Sequence, residues 1–304
     1  MLPEVLKYFA IALDPIHVGT GGYRLGRVDM SIVREPGTNL PKIPGTSIAG
    51  TCRTYAAMQE NGKFPQCAGQ GQPQGAYQGH CGKHNCPICV TFGFSKGSEA
   101  SFQGLAQFSD ARLVFFPVHS LAGPVWVTCP SVLRDLGITE SEPQDGQVRV
   151  ASGVKTSGKL NLGWLMLDVD RNDFTPTLSN VPSEILKHAV LVSDKMFGHI
   201  VNDNLDVRTS VSIDPQTGAA AEGALYTYEA IPRTSVLYFE VVVSDPRYYQ
   251  IAGQEPLKDN GGNATVKTTL ENGLRLFEFL GVGGMNTRGM GRLRMLGLKA
   301  GGTK

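Results

Sequence analysis

The chain has 304 residues, of which 41% are hydrophobic and 18% are charged, a composition that excludes a disordered chain and a highly charged coiled coil. Lysine and arginine number 28 against 27 acidic residues, so the net charge of +1 gives no argument for nucleic-acid binding. Because the apolar runs are short, the sequence predicts no secretory signal and no transmembrane helix, and the predicted location is the cytoplasm.

The hydrophobic pattern predicts a mixed α and β chain without internal repeats. In chain order we predict a strand over 8–13, a helix over 47–60, strands over 111–118 and 125–128, a second sheet region over 158–160 and 163–169, a short helix over 183–190, a strand over 237–244 and a helix over 269–280 with Leu270, Leu274 and Phe277 buried.

The start of the helix over 47–60 has two interpretations. Pro44 and Gly45 precede it, and Thr46 or Ser47 is the expected N-cap. The unpaired N–H groups and the dipole of a helix N-terminus also favour a bound phosphate. An ordinary N-cap and an anion site are both consistent with the sequence here.

Residues 208–228 are expected to form a long hairpin with its turn at 214–218. The tip is polar and rich in small residues, so it has almost nothing to bury. The hairpin is therefore either a surface ribbon or an arm that packs against a partner, and the sequence leaves both open.

Four of the six cysteines fall between positions 67 and 89, in a polar segment that cannot fold by burial. Cys81, Cys86 and Cys89 have the spacing C-x4-C-x2-C, which is typical of a tetrahedral zinc site. With Cys67 as the fourth ligand the site would be closed and structural. His80 and His84 are alternatives for one of the four positions.

A glycine-rich stretch, GVGGMNTRGMGR, runs from Gly281 to Arg292 and follows a helix rather than a strand. It matches neither the P-loop nor the dinucleotide fingerprint. Its glycines would let backbone N–H groups approach phosphate, and Arg288 adds charge. A tight connection between the last helix and the last strand is the alternative. No local pattern distinguishes Asp29 from Asp14 or Glu35 as a catalytic carboxylate.

Taken together and in order, these motifs resemble the backbone subunits of type III-B (Cmr) CRISPR RNA-guided effectors, a branch of the RAMP superfamily. The resemblance covers nearly the whole chain. Its landmarks are HVGTG from His17, the loop at Val28 and Asp29, IPGTSIAG from Ile43 with Arg53, CPICVTFG from Cys86, FSDARL from Phe108, VWVTCP from Val125, GALYTYE from Gly223 and the glycine-rich stretch.

The resemblance implies an α+β fold: a ferredoxin-like (RRM-like) palm with a zinc-containing insertion and a long β-hairpin thumb. The implied organisation is a single domain over 1–304, with the zinc-binding insertion at 61–100, the thumb hairpin at 205–232 and the glycine-rich loop at 281–294. The thumb would displace a base of the guide–target duplex at regular intervals, which favours the arm interpretation of the hairpin.

The resemblance also implies an activity and its partners. The expected activity is an endoribonuclease (hydrolase) in antiviral defence that cuts target RNA through attack by the 2′-hydroxyl, leaving a 2′,3′-cyclic phosphate. Asp29 is the implied catalytic residue, acting with Mg²⁺ or another divalent cation. The implied partners are CRISPR RNA, single-stranded target RNA, further copies of the chain in a filament and other Cmr subunits, with no membrane.

The residues implied to hold RNA are Lys42, Thr46, Ser47, Arg53, Gly283, Gly284, Asn286 and Arg288. The C-terminal loop is longer and more basic than the usual glycine pattern of the family. Three other functions are compatible with the sequence: an inactive CRISPR RNA-binding scaffold, a zinc-stabilised structural protein without RNA, and a stand-alone processing nuclease. The last would need a general base, for which His17 and Lys42 are the nearby candidates.

Overall fold

The structure, a computed structural model, describes residues 3–21, 28–69, 79–96, 100–170, 172–221 and 224–298. Parts of three segments singled out in the sequence lie outside these residues. They are the stretch just before Asp29, positions 70–78 and 97–99 of the predicted zinc-binding insertion, and positions 222–223 of the predicted hairpin.

The described part of the chain mixes strands and helices. The strands are β1 (Glu4–Ala12), β2 (Lys42–Ile43), β3 (Phe94–Ser95), β4 (Ser101–Phe102), β5 (Ala106–Phe108), β6 (Ala111–Ser120), β7 (Gly123–Thr128), β8 (Gln147–Val150), β9 (Lys159–Leu162), β10 (Leu165–Val169), β11 (Ala189–Leu191), β12 (Asp206–Ser210), β13 (Tyr226–Ala230), β14 (Val236–Val243) and β15 (Leu293–Leu296). The helices are α1 (Gly45–Gln59), α2 (Pro87–Phe92), α3 (Pro130–Asp135), α4 (Ser183–Lys187), α5 (Asp194–Asp203), α6 (Asn263–Arg275) and α7 (Phe277–Leu280).

Most strands join one mixed sheet in the order β15-β1-β14-β6-β7-β11-β8-β10-β9, with β2 beside β6 and β5 beside β14. The four strands β15, β1, β14 and β6 are antiparallel to their neighbours. If these four strands are numbered by their order along the chain, their order across the sheet is 4-1-3-2. Helix α1 follows the first of them and α6 follows the third, so the arrangement is β-α-β-β-α-β with insertions.

Helices α1 and α6 pack closely because a glycine lies at their contact. A Cβ atom at Gly273 would come within 2.4 Å of the Cys52 carbonyl oxygen. The Cys52 thiol donates to the Leu270 carbonyl at 3.3 Å, and burial raises its pKa. The predicted stripe Leu270, Leu274 and Phe277 is fully buried, so the core of the molecule lies between these helices and the sheet.

The predicted strands over 8–13, 111–118, 125–128 and 237–244 are confirmed in place, each with ends shifted by a few residues. Residues 158–160 and 163–169 correspond to the β9–β10 hairpin at the edge of the same connected sheet.

Two predicted helices have wrong limits. The prediction over 183–190 merges α4 with strand β11, since the buried residues Ala189, Val190 and Leu191 pair with β7 and β8. The C-terminal helix, predicted to begin at residue 269, begins six residues before that, at Asn263. Leu276 interrupts it and separates α6 from α7. Among the described residues, no helix has both the length and the apolar character needed to cross a bilayer.

Candidate functional site

Asp29 is held at the base of the β12–β13 hairpin. Its Oδ2 atom accepts two hydrogen bonds from Thr227, one from the backbone N–H at 2.7 Å and one from the hydroxyl at 2.8 Å. The N–H of Asp29 donates to the same hydroxyl oxygen at 3.1 Å. The backbone N–H of Thr227, and next its hydroxyl, lower the pKa of Asp29 below its usual value. The half-buried carboxylate is therefore ionised at neutral pH.

A buried ion pair holds the segment after Asp29 against the hairpin. Arg34 donates to both carboxylate oxygens of Glu229, at 2.6 and 2.8 Å, and the N–H of Ile32 donates to Oε1 of Glu229 at 2.9 Å. His17 Nδ1 donates to the Glu229 carbonyl at 2.7 Å, and its ring packs edge-on against Tyr228. His17 is thus a packed residue, which does not favour a role as the base of a processing nuclease.

The glycine-rich loop packs on the segment around His17. The N–H of Gly284 donates to the His17 carbonyl at 2.8 Å, and the Tyr55 hydroxyl donates to the Gly281 carbonyl at 2.8 Å. The N–H of Gly291 donates to the carbonyl of Pro15 at 2.9 Å. The loop is therefore a tight connection between α7 and β15, and it still exposes Gly283, Gly284, Asn286 and Arg288 to solvent.

Gly283 in this loop does not accommodate a side chain. Its φ is +85°, and an added Cβ would come within 2.5 Å of the His17 carbonyl oxygen. We expect Gly283→Ala to lower the free energy of unfolding by about 1–3 kcal/mol, measured by urea unfolding. Gly284→Ala is the matched control, because its nearest atom, Cδ2 of His17, would lie at 3.7 Å. Equal losses in both variants would contradict this steric explanation.

The exposed end of the glycine-rich loop reaches the hairpin. The Arg288 guanidinium donates to the Tyr226 hydroxyl on β13, next to the residue that binds Asp29. The side chain of Asn286 donates to the carbonyl of Leu280 at 2.9 Å. A small apolar cluster joins the Asp29 segment, the hairpin and this loop; it comprises Tyr228, Ala230, Met290, Met30, Tyr226 and Met285.

The N-terminus of α1 already holds an anion, the carboxylate of Asp110. Gly45 N–H donates to Oδ1 of Asp110 at 2.8 Å, and Lys42 Nζ lies 2.5 Å from Oδ2. Burial acts to raise the pKa of Asp110, but the Lys42 ammonium and the Gly45 N–H outweigh burial, and the net pKa is lowered. The predicted N-cap is wrong, since the helix begins at Gly45 without a side-chain cap and places Thr46 and Ser47 in its first turn.

Arg53 lies away from this helix end. Its buried guanidinium donates Nε–H to the Cys67 carbonyl and Nη1–H to the Gly93 carbonyl, both at 2.7 Å. Arg53 thereby links α1 to the cysteine-rich segment. A contact between Arg53 and RNA stays a prediction, and this burial does not favour it.

The four predicted metal ligands do meet. The Sγ atoms of Cys67, Cys81, Cys86 and Cys89 all lie within 4.8 Å of one another. The Cys81–Cys89 and Cys67–Cys86 sulfur distances are 3.7 and 4.0 Å. A tetrahedral zinc ion with Zn–S bonds of about 2.3 Å requires sulfur–sulfur distances of about 3.8 Å. The cluster therefore has the dimensions of a four-thiolate metal site.

Among the described residues, neither of the two alternative ligands, His80 and His84, belongs to this cluster. His80 Nε2 donates to the Gly69 carbonyl at 2.8 Å, and its Nδ1 accepts from the Ser95 N–H at 3.4 Å. Hydrogen bonds with the other three thiols of the cluster, Cys67 first, lower the pKa of Cys81 and raise the pKa of Cys89. Because like charges repel at these distances, the four thiols can all be deprotonated only when a cation lies between their sulfur atoms.

The structure brings Asp29, Arg288 and the exposed glycines to the hairpin base and places the cysteine cluster elsewhere, against α1. Sequence reasoning missed Thr227, Glu229 and Asp110. Thr227 and Glu229 lie in the landmark GALYTYE, which could have drawn attention to them. Asp110 lies in the landmark FSDARL, but nothing in either motif indicates the contacts that these side chains make.

Comparison with known proteins agrees with this architecture. The chain is 26% identical over 303 residues to the CRISPR system Cmr endoribonuclease Cmr4 of Pyrococcus furiosus, covering 86% of this chain and 95% of the relative. A crystal structure of Cmr4 superimposes with a TM-score of 0.62 at 22% identity, covering 96% of this chain and 98% of the other.

A chain of a type III-B Cmr-beta complex bound to cognate target RNA superimposes with a TM-score of 0.67 at 14% identity, over 97% of both chains. The RAMP superfamily model matches residues 10–294, which is nearly the whole chain. This protein therefore belongs to the RAMP superfamily.

Proposed function

We propose that this chain is a backbone subunit of a type III-B CRISPR effector that binds CRISPR RNA and cleaves complementary target RNA at regular intervals. The observation that carries the proposal is the ionised Asp29 carboxylate, held at the base of a long hairpin beside an exposed glycine-rich loop. A relative of similar length is named an endoribonuclease, and a structural neighbour belongs to a complex bound to target RNA.

The fold supports this proposal. The strand order β15-β1-β14-β6, with α1 and α6 packed together, has the β-α-β-β-α-β pattern of a ferredoxin-like palm. In this proposal the whole chain, 1–304, is one domain, and residues 205–232 are the thumb. Four apolar side chains of the hairpin are exposed, as expected of an arm that meets a partner: Val207, Val211, Ile213 and Leu225.

The guide RNA would lie along the exposed loops of the palm. Gly283 and Gly284 leave room for phosphate, and Asn286 and Arg288 supply donors and charge. Lys42, Thr46 and Ser47 would join them at the start of α1, where Asp110 fixes the position of the Lys42 ammonium. Neighbouring copies of the chain would continue the same path in a filament, together with other Cmr subunits.

Asp29 would act on the target strand. The 2′-oxygen of a nucleotide attacks the adjacent phosphorus, the bond from phosphorus to O5′ breaks, and the products are a 2′,3′-cyclic phosphate and a 5′-hydroxyl. The proton lost by the 2′-hydroxyl is balanced by the proton gained at O5′. Because its pKa is low, Asp29 orients the 2′-hydroxyl through a hydrogen bond and is a poor proton acceptor.

The Asp29 carboxylate would supply one ligand to a divalent cation such as Mg²⁺, which commonly takes one carboxylate ligand and completes its shell with water and substrate phosphate. Among the described residues, no group of three or more metal-ligating side chains includes Asp29, so substrate and water would have to supply the other ligands. The cation would supply charge stabilisation at the reacting phosphate.

The cysteine cluster fits a structural zinc ion bound by Cys67, Cys81, Cys86 and Cys89 in the segment 61–100. Four thiolates and one Zn²⁺ carry a net charge of −2. A cavity of about 410 Å³ beside the cluster is lined by Lys63, Lys83 and Lys96, and no described carboxylate lines it. These lysines place positive charge beside the thiolates.

The test is target-RNA cleavage by the reconstituted guide complex with Mg²⁺. Asp29→Asn is expected to slow cleavage by about 10³-fold while target binding stays within about twofold, because the neutral amide loses the charge that orients the 2′-hydroxyl. Glu35→Gln is the matched control, because Glu35 is a partly exposed acidic residue six positions further along the chain, and this variant should cut like the wild type.

Other outcomes assign other functions. A wild-type complex that binds target and never cuts it would make the chain an inactive scaffold. A purified chain that binds neither guide nor target would make it a zinc-stabilised structural protein. Equal cleavage by the wild type and Asp29→Asn would remove Asp29 from the reaction.

A further inference from the structure

We propose that Thr227 is a positioning residue for the cleavage carboxylate: it fixes Asp29 so that only one carboxylate oxygen faces the RNA. This inference rests on the proposed function, since it assumes that Asp29 acts in target-RNA cleavage. It goes further by tying the reacting group to the hairpin strand β13 rather than to the palm.

The hydrogen bonds between the two residues leave little freedom. The Thr227 hydroxyl has one proton, and Oδ2 of Asp29 is the acceptor that it reaches at 2.8 Å. The lone pairs of the same hydroxyl accept from the Asp29 N–H at 3.1 Å, so the rotation of the hydroxyl is determined. The Thr227 N–H adds a second bond to Oδ2 at 2.7 Å.

The two oxygens of the carboxylate are therefore unequal. Oδ2 accepts two hydrogen bonds, whereas no hydrogen bond from another described residue goes to Oδ1. Oδ1 is thus available to a 2′-hydroxyl or to one coordination position of a cation. A carboxylate held at one oxygen offers the other in a fixed direction, which is what in-line attack on phosphorus requires.

Thr227 also connects this geometry to the hairpin. It lies in β13 opposite Thr209 of β12, and its carbonyl accepts from the N–H of Met30 at 3.0 Å. The Asp29 segment therefore lies beside β13, joined to it by an isolated parallel bridge between Met30 and Tyr228. Whatever places the hairpin on the guide–target duplex would place Oδ1 at the same time.

The experiment compares Thr227→Val, Thr227→Ser and Thr177→Val in the reconstituted guide complex. Valine keeps the shape and the strand preference of threonine but removes the hydroxyl, whereas serine keeps the hydroxyl. Thr177→Val is the control for the loss of a hydroxyl, because Thr177 is exposed and lies outside the hairpin, helix α1 and the glycine-rich loop. The readouts are single-turnover cleavage at a series of Mg²⁺ concentrations, and guide and target affinity.

We expect Thr227→Val to cleave about 10- to 100-fold more slowly at saturating Mg²⁺ and to need more Mg²⁺ for half-maximal cleavage, with binding unchanged. Thr227→Ser should recover cleavage to within about threefold, and Thr177→Val should cleave like the wild type. If Thr227 only stabilised the fold, Thr227→Val would lower the unfolding midpoint. The assembled complex would then cleave and depend on Mg²⁺ like the wild type.

The outcomes separate this inference from the proposed function. If Asp29→Asn abolishes cleavage but Thr227→Val cuts like the wild type, the positioning role is wrong and the function stands. If Asp29→Asn still cuts, the proposed catalytic role of Asp29 is wrong, and the positioning role of Thr227 that depends on it is wrong as well. If the valine variant does not assemble, Thr227→Cys replaces it: slower cleavage than Thr227→Ser supports the role, because a thiol is a weak donor, and wild-type cleavage overturns it.

Discussion

Removal of the proposed zinc ion is expected to unfold the segment around Cys67, Cys81, Cys86 and Cys89. Structural zinc sites contribute about 10–16 kcal/mol of apparent binding free energy, which becomes folding free energy when the surrounding segment is too polar to fold by burial. We therefore expect one zinc per chain by elemental analysis. After treatment with a strong chelator, four of the six cysteines should react rapidly with a thiol reagent.

The other two cysteines provide an internal control. Cys52 and Cys129 are buried outside the cluster, and burial raises the pKa of Cys129 to about 12, so both should react slowly before and after chelation. Cys89→Ser should lose zinc, whereas Cys129→Ala should keep one equivalent. Untreated protein that contains no metal and presents four fast thiols would contradict a structural zinc site.

Local sequence patterns predicted those parts of the fold that depend on local chemistry. The strand over 237–244 is an apolar run of β-branched and aromatic residues, and it is central in the sheet. The prediction over 183–190 gave wrong limits because Ala189 and Val190 have acceptable helix propensity, whereas their burial between two strands of the sheet decides their conformation. Propensity in a short segment is weaker than such tertiary pairing.

The candidate site divides in the same way. The cluster of four cysteines could be predicted, because a metal site requires particular residue types at short spacings that remain visible in the sequence. The partners of Asp29 were not, since Thr227 lies 198 positions further along the chain and no periodicity relates them. The same holds at α1, where the sequence indicated a helix end suited to an anion, and Asp110, 65 positions after Gly45, supplies it.

Glu229→Gln is expected to lower the free energy of unfolding by about 3–5 kcal/mol, because it removes the charge opposite a bidentate and largely buried arginine. The Glu229 side chain is 7% exposed and that of Arg34 is 21% exposed, so the effect should fall near the lower end of this range. The glutamine retains one acceptor, but it cannot accept from both guanidinium nitrogens and from the Ile32 N–H. Urea unfolding measures the change.

A surface pair with the same closest approach, joined by one hydrogen bond rather than two, is the control for this prediction. Arg112 and Asp135 approach to 2.6 Å, as Arg34 and Glu229 do, but their side chains are 46% and 51% exposed. Asp135→Asn should therefore cost no more than about 1 kcal/mol. If both substitutions cost the same, burial does not determine the strength of the Glu229 pair. A larger loss for Glu229→Gln than for Asp135→Asn would mean that burial strengthens the charge pair, which helps to hold the Asp29 segment to the hairpin together with the hydrogen bonds to Thr227.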